Sequence, residues 1–164
     1  MLFIRHVICL AADYRNEAEV GAALTDAFRT GLVKREDLFI TTKLWNSDHG
    51  HVLEACKDSL KKLQLDYLDL YLVHFPVATK HTGVGTTDSA LDEDGVLEID
   101  TSISLETTWH AMEDLVSKGL VRSIGIRCAG SPNDHALIFH SFNMIALFWC
   151  LFNLGINGGM HLYL

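Results

Sequence analysis

Three side chains that could together move a proton at a carbonyl group lie along the first half of the chain: a phenol at Tyr14, an ammonium at Lys43 and an imidazole at His74. Each stands where an apolar run gives way to polar sequence. A tyrosine hydroxyl is a reluctant proton donor at neutral pH. A neighbouring ammonium stabilises the phenolate, so the hydroxyl becomes a better general acid toward an oxygen gaining negative charge. A neutral imidazole can donate a hydrogen bond to the same oxygen and orient it. Such a trio needs a cofactor to supply hydride, since no side chain does. Taken singly, each residue also has a structural explanation. Tyr14 could pack at a helix entry, and Lys43 and His74 could be polar strand ends. A buried unpaired lysine is costly, however, and Lys43 sits between Thr42 and Leu44 at the end of an apolar run.

The elements that must position these groups follow from hydrophobic period. Phe3 to Ala12 is an apolar run broken only by Arg5 and His6, and it reads as a strand buried on both faces. Asn16 is placed to cap a helix with Val20, Ala23, Leu24, Ala27 and Phe28 at helical spacing and Gly31 as its stop. Leu38 to Thr42 is the next strand, and Ser47 or Asp48 can cap a helix bearing Val52, Cys56, Leu60 and Leu63 on one stripe. Tyr67 to Val73 is a third strand. A long polar loop runs from Pro76 to about Thr101, in which Gly83-x-Gly85 reads as flexibility. Ser104 then caps a helix with Leu105, Trp109, Met112 and Val116 that ends at Gly119, and Val121 to Ile126 is a fourth strand.

Alternating strands and helices with short links mean parallel strands joined by crossover helices. That pattern admits both a closed barrel and an open doubly wound sheet. No G-x-G-x-x-G follows a strand, which weakens the open dinucleotide-binding version. The trio occupies three consecutive strand ends, the edge where barrel active sites form. From Arg127 to Leu164 the sequence is apolar without a clear period, so the chain divides into a region 1–126 and a divergent tail 127–164.

Composition narrows the partners. Hydrophobic residues make up 49% of the 164, enough for a core. A net charge of −8 disfavours nucleic acid or an anionic membrane as the main partner. The four cysteines, Cys9, Cys56, Cys128 and Cys150, form no C-x-x-C pair, so no metal site is expected. Scattered thiols suit a reducing, cytoplasmic setting. No run reaches the length of a spanning helix.

The words around the trio carry a resemblance. Asp13-Tyr14-Arg15-Asn16-Glu17, Leu38-Phe39-Ile40-Thr41-Thr42-Lys43-Leu44-Trp45, Asp66 to Pro76 through Tyr71-Leu72-Val73-His74-Phe75, and Gly119 to Ile126 resemble the aldo-keto reductases, in order. The 77–100 loop is similar to members that act on sugar phosphates. The resemblance implies a (β/α)₈ TIM barrel, here represented by about four parallel strands, and NADP bound without a Rossmann motif. It implies reduction of a sugar or sugar-phosphate aldehyde. By matched motif, Tyr14 would donate the proton, Lys43 would support it and His74 would orient the oxygen. Trp45 and Phe75 would wall the substrate.

The chain departs from the family pattern at two cofactor positions. Cys9 stands where the family has the carboxylate that pairs with the lysine, and Arg127-Cys128 stands where it has Ser-Asn. The remaining cofactor-binding positions have no counterpart. The resemblance therefore predicts a truncated form with impaired NADPH binding. The alternative is a non-catalytic isoform or fragment that associates with other chains through open sheet edges, or is unstable.

Overall fold

A computed structural model describes residues 6–128, 135–140 and 143–144. Four parallel strands alternate with three helices. They are β1 (His6–Cys9), α1 (Glu17–Arg29), β2 (Leu38–Leu44), α2 (Val52–Leu63), β3 (Leu68–Val73), α3 (Leu105–Ser117) and β4 (Val121–Cys128). Short 3-10 turns at Ala12–Tyr14, Arg35–Asp37 and Asn46–Asp48 fill the links. β5 (His135–His140) and β6 (Asn143–Met144) follow, with β5 antiparallel to β4 and β6 antiparallel to β5. The sheet order is β1-β2-β3-β4-β5-β6.

That order decides between the two arrangements the sequence admits. A doubly wound sheet reverses its strand order at a switch point. Here the parallel strands run in sequence order, so right-handed crossovers stack all three helices on one face, as in a barrel wall. Leu38, Ile40 and Leu44 of β2, Tyr71 and Val73 of β3 and Ile124 of β4 join Leu24, Val52, Cys56, Leu60, Leu63, Met112 and Leu115 from the helices in one core. Side chains alternate along a strand, so Lys43, Leu72 and Gly125 share the opposite face, and register pairs them across β2, β3 and β4.

The helices pack closely where the sequence permits. A Cβ on Gly21 would lie 2.2 Å from the Lys62 carbonyl oxygen, so only glycine lets α1 approach α2 at this point. Ser104 caps α3 as expected, its Oγ accepting from the Thr107 N–H at 3.0 Å. Gly31 and Gly119 follow α1 and α3 with φ of 71° each, the left-handed conformation that ends a helix.

Several expectations need correction. β1 covers His6–Cys9 rather than the whole apolar run, because Leu10 and Ala11 lead into the turn that carries Tyr14; residues 3–5 lie outside the described residues. Ser47 and Asp48 do not cap α2. Their segment is a 3-10 turn closed by Asp48 N–H to Trp45 O and His51 N–H to Asp48 O, and α2 starts after His51. Asn16 precedes α1, but its side chain makes no capping bond. The apolar segment after the fourth strand also forms structure: His135–His140 pairs with Ile124 to Cys128. Four apolar residues between two histidines fit a strand or a helix equally, so period alone could not assign it. The rest of the tail, Cys150 included, lies outside the described residues.

The 76–101 loop is not loose. Bridges link Thr79 to Ile99 and Leu91 to Leu97. Thr79 N–H donates to Asn46 O at 3.0 Å, and Lys62 Nζ donates to Gly85 O at 3.2 Å. Gly85 is a structural requirement, not mere flexibility: its φ is 81° and a Cβ there would lie 2.6 Å from the Asp58 carboxylate. Polar side chains that reach across to another element do not show in a composition reading.

Candidate active site

The ends of β1, β2, β3 and β4 bring the three sequence-predicted groups to one rim. Lys43, the penultimate residue of β2, is 5% exposed. Its Nζ lies 2.8 Å from the Leu10 carbonyl oxygen, 3.3 Å from Tyr14 Oη and 3.6 Å from Cys9 Sγ. Tyr14 is held by the 3-10 turn after β1, with its own N–H donating to Ala11 O. Tyr14 as a whole is 52% exposed, while its hydroxyl is tied to the ammonium. His74 directly follows β3, its N–H donating to Leu44 O at 3.1 Å. The Tyr14 and His74 rings meet edge to face with centroids 6.5 Å apart.

Trp45 and Phe75 flank the imidazole. His74 stacks on Phe75 at 4.7 Å and meets Trp45 edge-on at 5.6 Å, and the two aromatics lie 6.4 Å apart. These rings and the strand ends bury His74 to 3% exposure. Burial, reinforced by the Lys43 and Arg127 charges, lowers its pKa to about 4. The imidazole is therefore neutral throughout the physiological range.

The positions that break the family pattern are also at the rim. Cys9 presents a thiol, not a carboxylate, to Lys43, and among the described residues no carboxylate lies within ion-pair distance of that ammonium. Arg127 Nη1 lies 2.9 Å from His74 Nε2. The side chain of Cys128 lies outside the described residues. Sequence reasoning gave Arg127 no role of its own. The signal was available: register continues from Leu44, Val73 and Ile126 to Trp45, His74 and Arg127 in the next row.

Two polar clusters outside the rim were also missed. Glu17, the first residue of α1, is buried and accepts from Thr42 Oγ1 at 2.6 Å and Ser59 Oγ at 3.2 Å. Asp48 is buried beside His81, Nδ1 to Oδ1 3.3 Å, and His81 lies 3.9 Å from His51, ring centre to ring centre. Desolvation raises Asp48 to a pKa of about 6 despite the two imidazoles. A cleft of about 350 Å³ lies beside the rim, lined by Ala12, Arg15, Glu17, Lys62, Gly85 and Asp88 among others; Tyr14, Lys43 and His74 do not line it. No cluster that could hold a metal ion occurs among the described residues, and no helix there is long and apolar enough to cross a membrane.

Parallel strands with sequential crossovers carry a Tyr-Lys-His rim, and comparison with known proteins gives the family. Residues 4–133 match the aldo/keto reductase family model, so the chain belongs to the aldo/keto reductase family. It is 68% identical over 122 residues to the NADP-dependent D-sorbitol-6-phosphate dehydrogenase of Malus domestica, covering 74% of this chain and 39% of that protein. It is 43% identical over 140 residues to aldo-keto reductase AKR2E4 of Bombyx mori, covering 84% of this chain and 40% of that one. Among solved structures, the aldose reductase of Schistosoma japonicum matches with a TM-score of 0.67 and 48% identity over 74% of this chain and 40% of that one. The Bombyx mori enzyme in complex with NADP matches with a TM-score of 0.61 and 45% identity, over 74% of this chain and 35% of that one. The chain thus spans about two fifths of the length of the curated relatives it matches. Its four parallel strands and three helices match part of the (β/α)₈ barrel of those structures.

Proposed function

We propose that this chain carries the carbonyl-reducing rim of an NADPH-dependent oxidoreductase that converts a sugar or sugar-phosphate aldehyde to the alcohol. The observation that carries the reading is the 3.3 Å contact between Lys43 Nζ and Tyr14 Oη, with His74 edge-on to the phenol. Tyr14 donates the proton to the carbonyl oxygen as negative charge develops there. Lys43, anchored on the Leu10 carbonyl, lies where its charge stabilises the phenolate left behind. Trp45 and Phe75 wall the carbonyl carbon's side of the site and exclude water. The similarity to a sorbitol-6-phosphate dehydrogenase supports a sugar phosphate as substrate.

The described residues fit the reacting end of a nicotinamide. Tyr14, half-exposed, holds its hydroxyl beside a buried ammonium, and the buried Trp45 Nε1 has no partner among the described residues. Lys43 and Trp45 would border the group, which when bound supplies the hydride. The free thiols of Cys9 and Cys56 suit a cytoplasmic setting. NADPH oxidation with D-glucose 6-phosphate tests the reading: turnover that disappears in Tyr14→Phe supports it, and turnover unchanged in that variant overturns it.

A second reading, a family member without turnover that binds other chains, is favoured by one observation. Cys9 Sγ stands 3.6 Å from Lys43 Nζ, where the family resemblance expects a carboxylate. Quenching of protein fluorescence during NADPH titration separates the two, since the second reading expects no saturable change.

A further inference from the structure

An ammonium has three N–H donors, and those of Lys43 meet three partners of unequal strength. The Leu10 carbonyl oxygen lies 2.8 Å from Nζ, Tyr14 Oη 3.3 Å and Cys9 Sγ 3.6 Å. A thiol sulfur is the weakest acceptor of the three. Lys43 is 5% exposed, and no carboxylate pairs with it among the described residues. A buried cation without a counter-ion is costly. The uncompensated ammonium thus faces a neighbour that simple chemistry can turn into an anion.

The two thiols described stand in different surroundings. Cys56 is buried, and burial with the Glu17 charge pushes its thiol up to about 12, so it stays neutral and inert. Cys9 is part-exposed at the end of β1, so a small oxidant reaches it, and its sulfur faces the Lys43 ammonium. Oxidation of sulfur is favoured by exposure and by nearby positive charge.

We propose that Cys9 is a peroxide-oxidation site whose sulfinate serves as the counter-ion of Lys43. The oxidant is hydrogen peroxide, acting in two steps. In the first, the Cys9 sulfur attacks one peroxide oxygen. An S–O bond forms, the O–O bond breaks, and the thiol proton leaves with the other oxygen as water. Sulfur gives up two electrons, the peroxide takes them, and a sulfenic acid remains. A second peroxide repeats the exchange, releasing a second water and leaving the sulfinic acid, whose proton passes to solvent. The two sulfinate oxygens share one negative charge, as those of a carboxylate do, and stand one bond beyond Sγ. The proposal does not depend on the reductase reading. Where that reading holds, the modification lies beside the Tyr14 hydroxyl at the reacting rim.

Peptide mapping by mass spectrometry, after a small molar excess of hydrogen peroxide acts on the folded full chain, tests the site. The expected result is a gain of two oxygens at Cys9 while Cys56 stays reduced. Lys43→Met should slow that gain severalfold, and Lys43→Arg, which keeps a cation, should retain it. A Cys9 left reduced or stopped at one oxygen overturns the proposal. So does a sulfur–nitrogen cross-link to Lys43, or a rate that neither Lys43 variant changes. Nitrogen-15 NMR of lysine-labelled chain reads the pairing. Oxidation should shift the Lys43 Nζ resonance in wild type and leave it in place in peroxide-treated Cys9→Ser. An Nζ resonance unmoved by sulfinate formation overturns the counter-ion role. Neither measurement needs turnover, so a failed reductase reading leaves both decisive.

Discussion

Lys43 has a carbonyl, a phenol and a thiol around its ammonium, and no carboxylate among the described residues. Lys43→Met keeps most of the volume and removes the charge. Under the proposed reductase reading, its expected effect is a fall in kcat of about a hundredfold, the scale of a lost general-acid contribution, with little change in the urea midpoint; a steady-state assay beside an unfolding curve checks both. The pH dependence of stability follows from two buried groups with opposite signs. His74 titrates near pH 4 in the folded chain against an ordinary value of 6.5, so the unfolded chain binds more protons between them and this stability is lost as pH falls through that window. His49 is also pushed down by burial and adds to the same trend. Asp48 runs the other way: raised from 3.8 to about 6, it favours the folded chain below 3.8 and loses that contribution as pH rises through 6. Asp48→Asn removes the opposing group. The urea midpoint should then fall more steeply than in wild type as pH drops from 6.5 to 4, and an equal or shallower fall would refute the assignment. Tyr14, Lys43 and His74 were legible as a candidate site because each stands at or just beyond the end of an apolar run. Arg127 was not, because its partner is across the sheet and only strand register joins them.

Helix α1 meets α2 at a glycine. A methyl group at Gly21 would overlap the Lys62 carbonyl and the Leu63 backbone, neither of which can swing aside. Gly21→Ala should cost about 1–3 kcal/mol through overpacking, read as a lower midpoint in thermal or urea unfolding. Gly31→Ala makes a useful contrast. It faces open space and pays only for its left-handed φ of 71°, so its loss should be nearer 1 kcal/mol. The alternation of strand and helix was readable because buried parallel strands and amphipathic helices have different periods. The α2 start was not, since Ser47 and Asp48 have the right residue types for a cap yet are drawn into a turn that the long loop covers. His81 Nδ1 on the Ser47 carbonyl is part of that cover. The loop itself reads as polar filler until its contacts are known. Arg15 reaches Thr87 and Asp88, and Lys62 reaches Gly85, each linking segments far apart in sequence.

At the scale of the whole molecule, the sheet is secured from the end opposite the rim. Asp69 of β3 is buried and accepts from the Ile40 N–H of β2 at 2.9 Å. Its carboxylate also meets Arg35 at 2.8 Å and Arg122 of β4 at 3.0 Å. Both guanidinium groups lie over the Tyr67 ring, at 3.9 and 4.1 Å. One carboxylate thus ties three strands and the turn before β2. Removing its charge leaves a part-buried arginine uncompensated, so Asp69→Asn should lower unfolding free energy by on the order of 3 kcal/mol, measured by urea denaturation. Tyr14, Lys43 and His74 should keep their arrangement in the fraction that stays folded.

Asp69 lies in β3 and His74 directly follows the strand, five residues on, which is about 17 Å of extended chain. The contacts that hold the sheet together and the proposed chemistry thus lie at separate ends of β3. Under the proposed reading, substitutions at the rim re-tune substrate choice while the other end preserves strand alignment. A library randomised at Trp45, Phe75 and Arg127 should therefore retain a high proportion of soluble, cooperatively melting members, whereas one randomised at Tyr67, Asp69 and Arg122 should lose most of them.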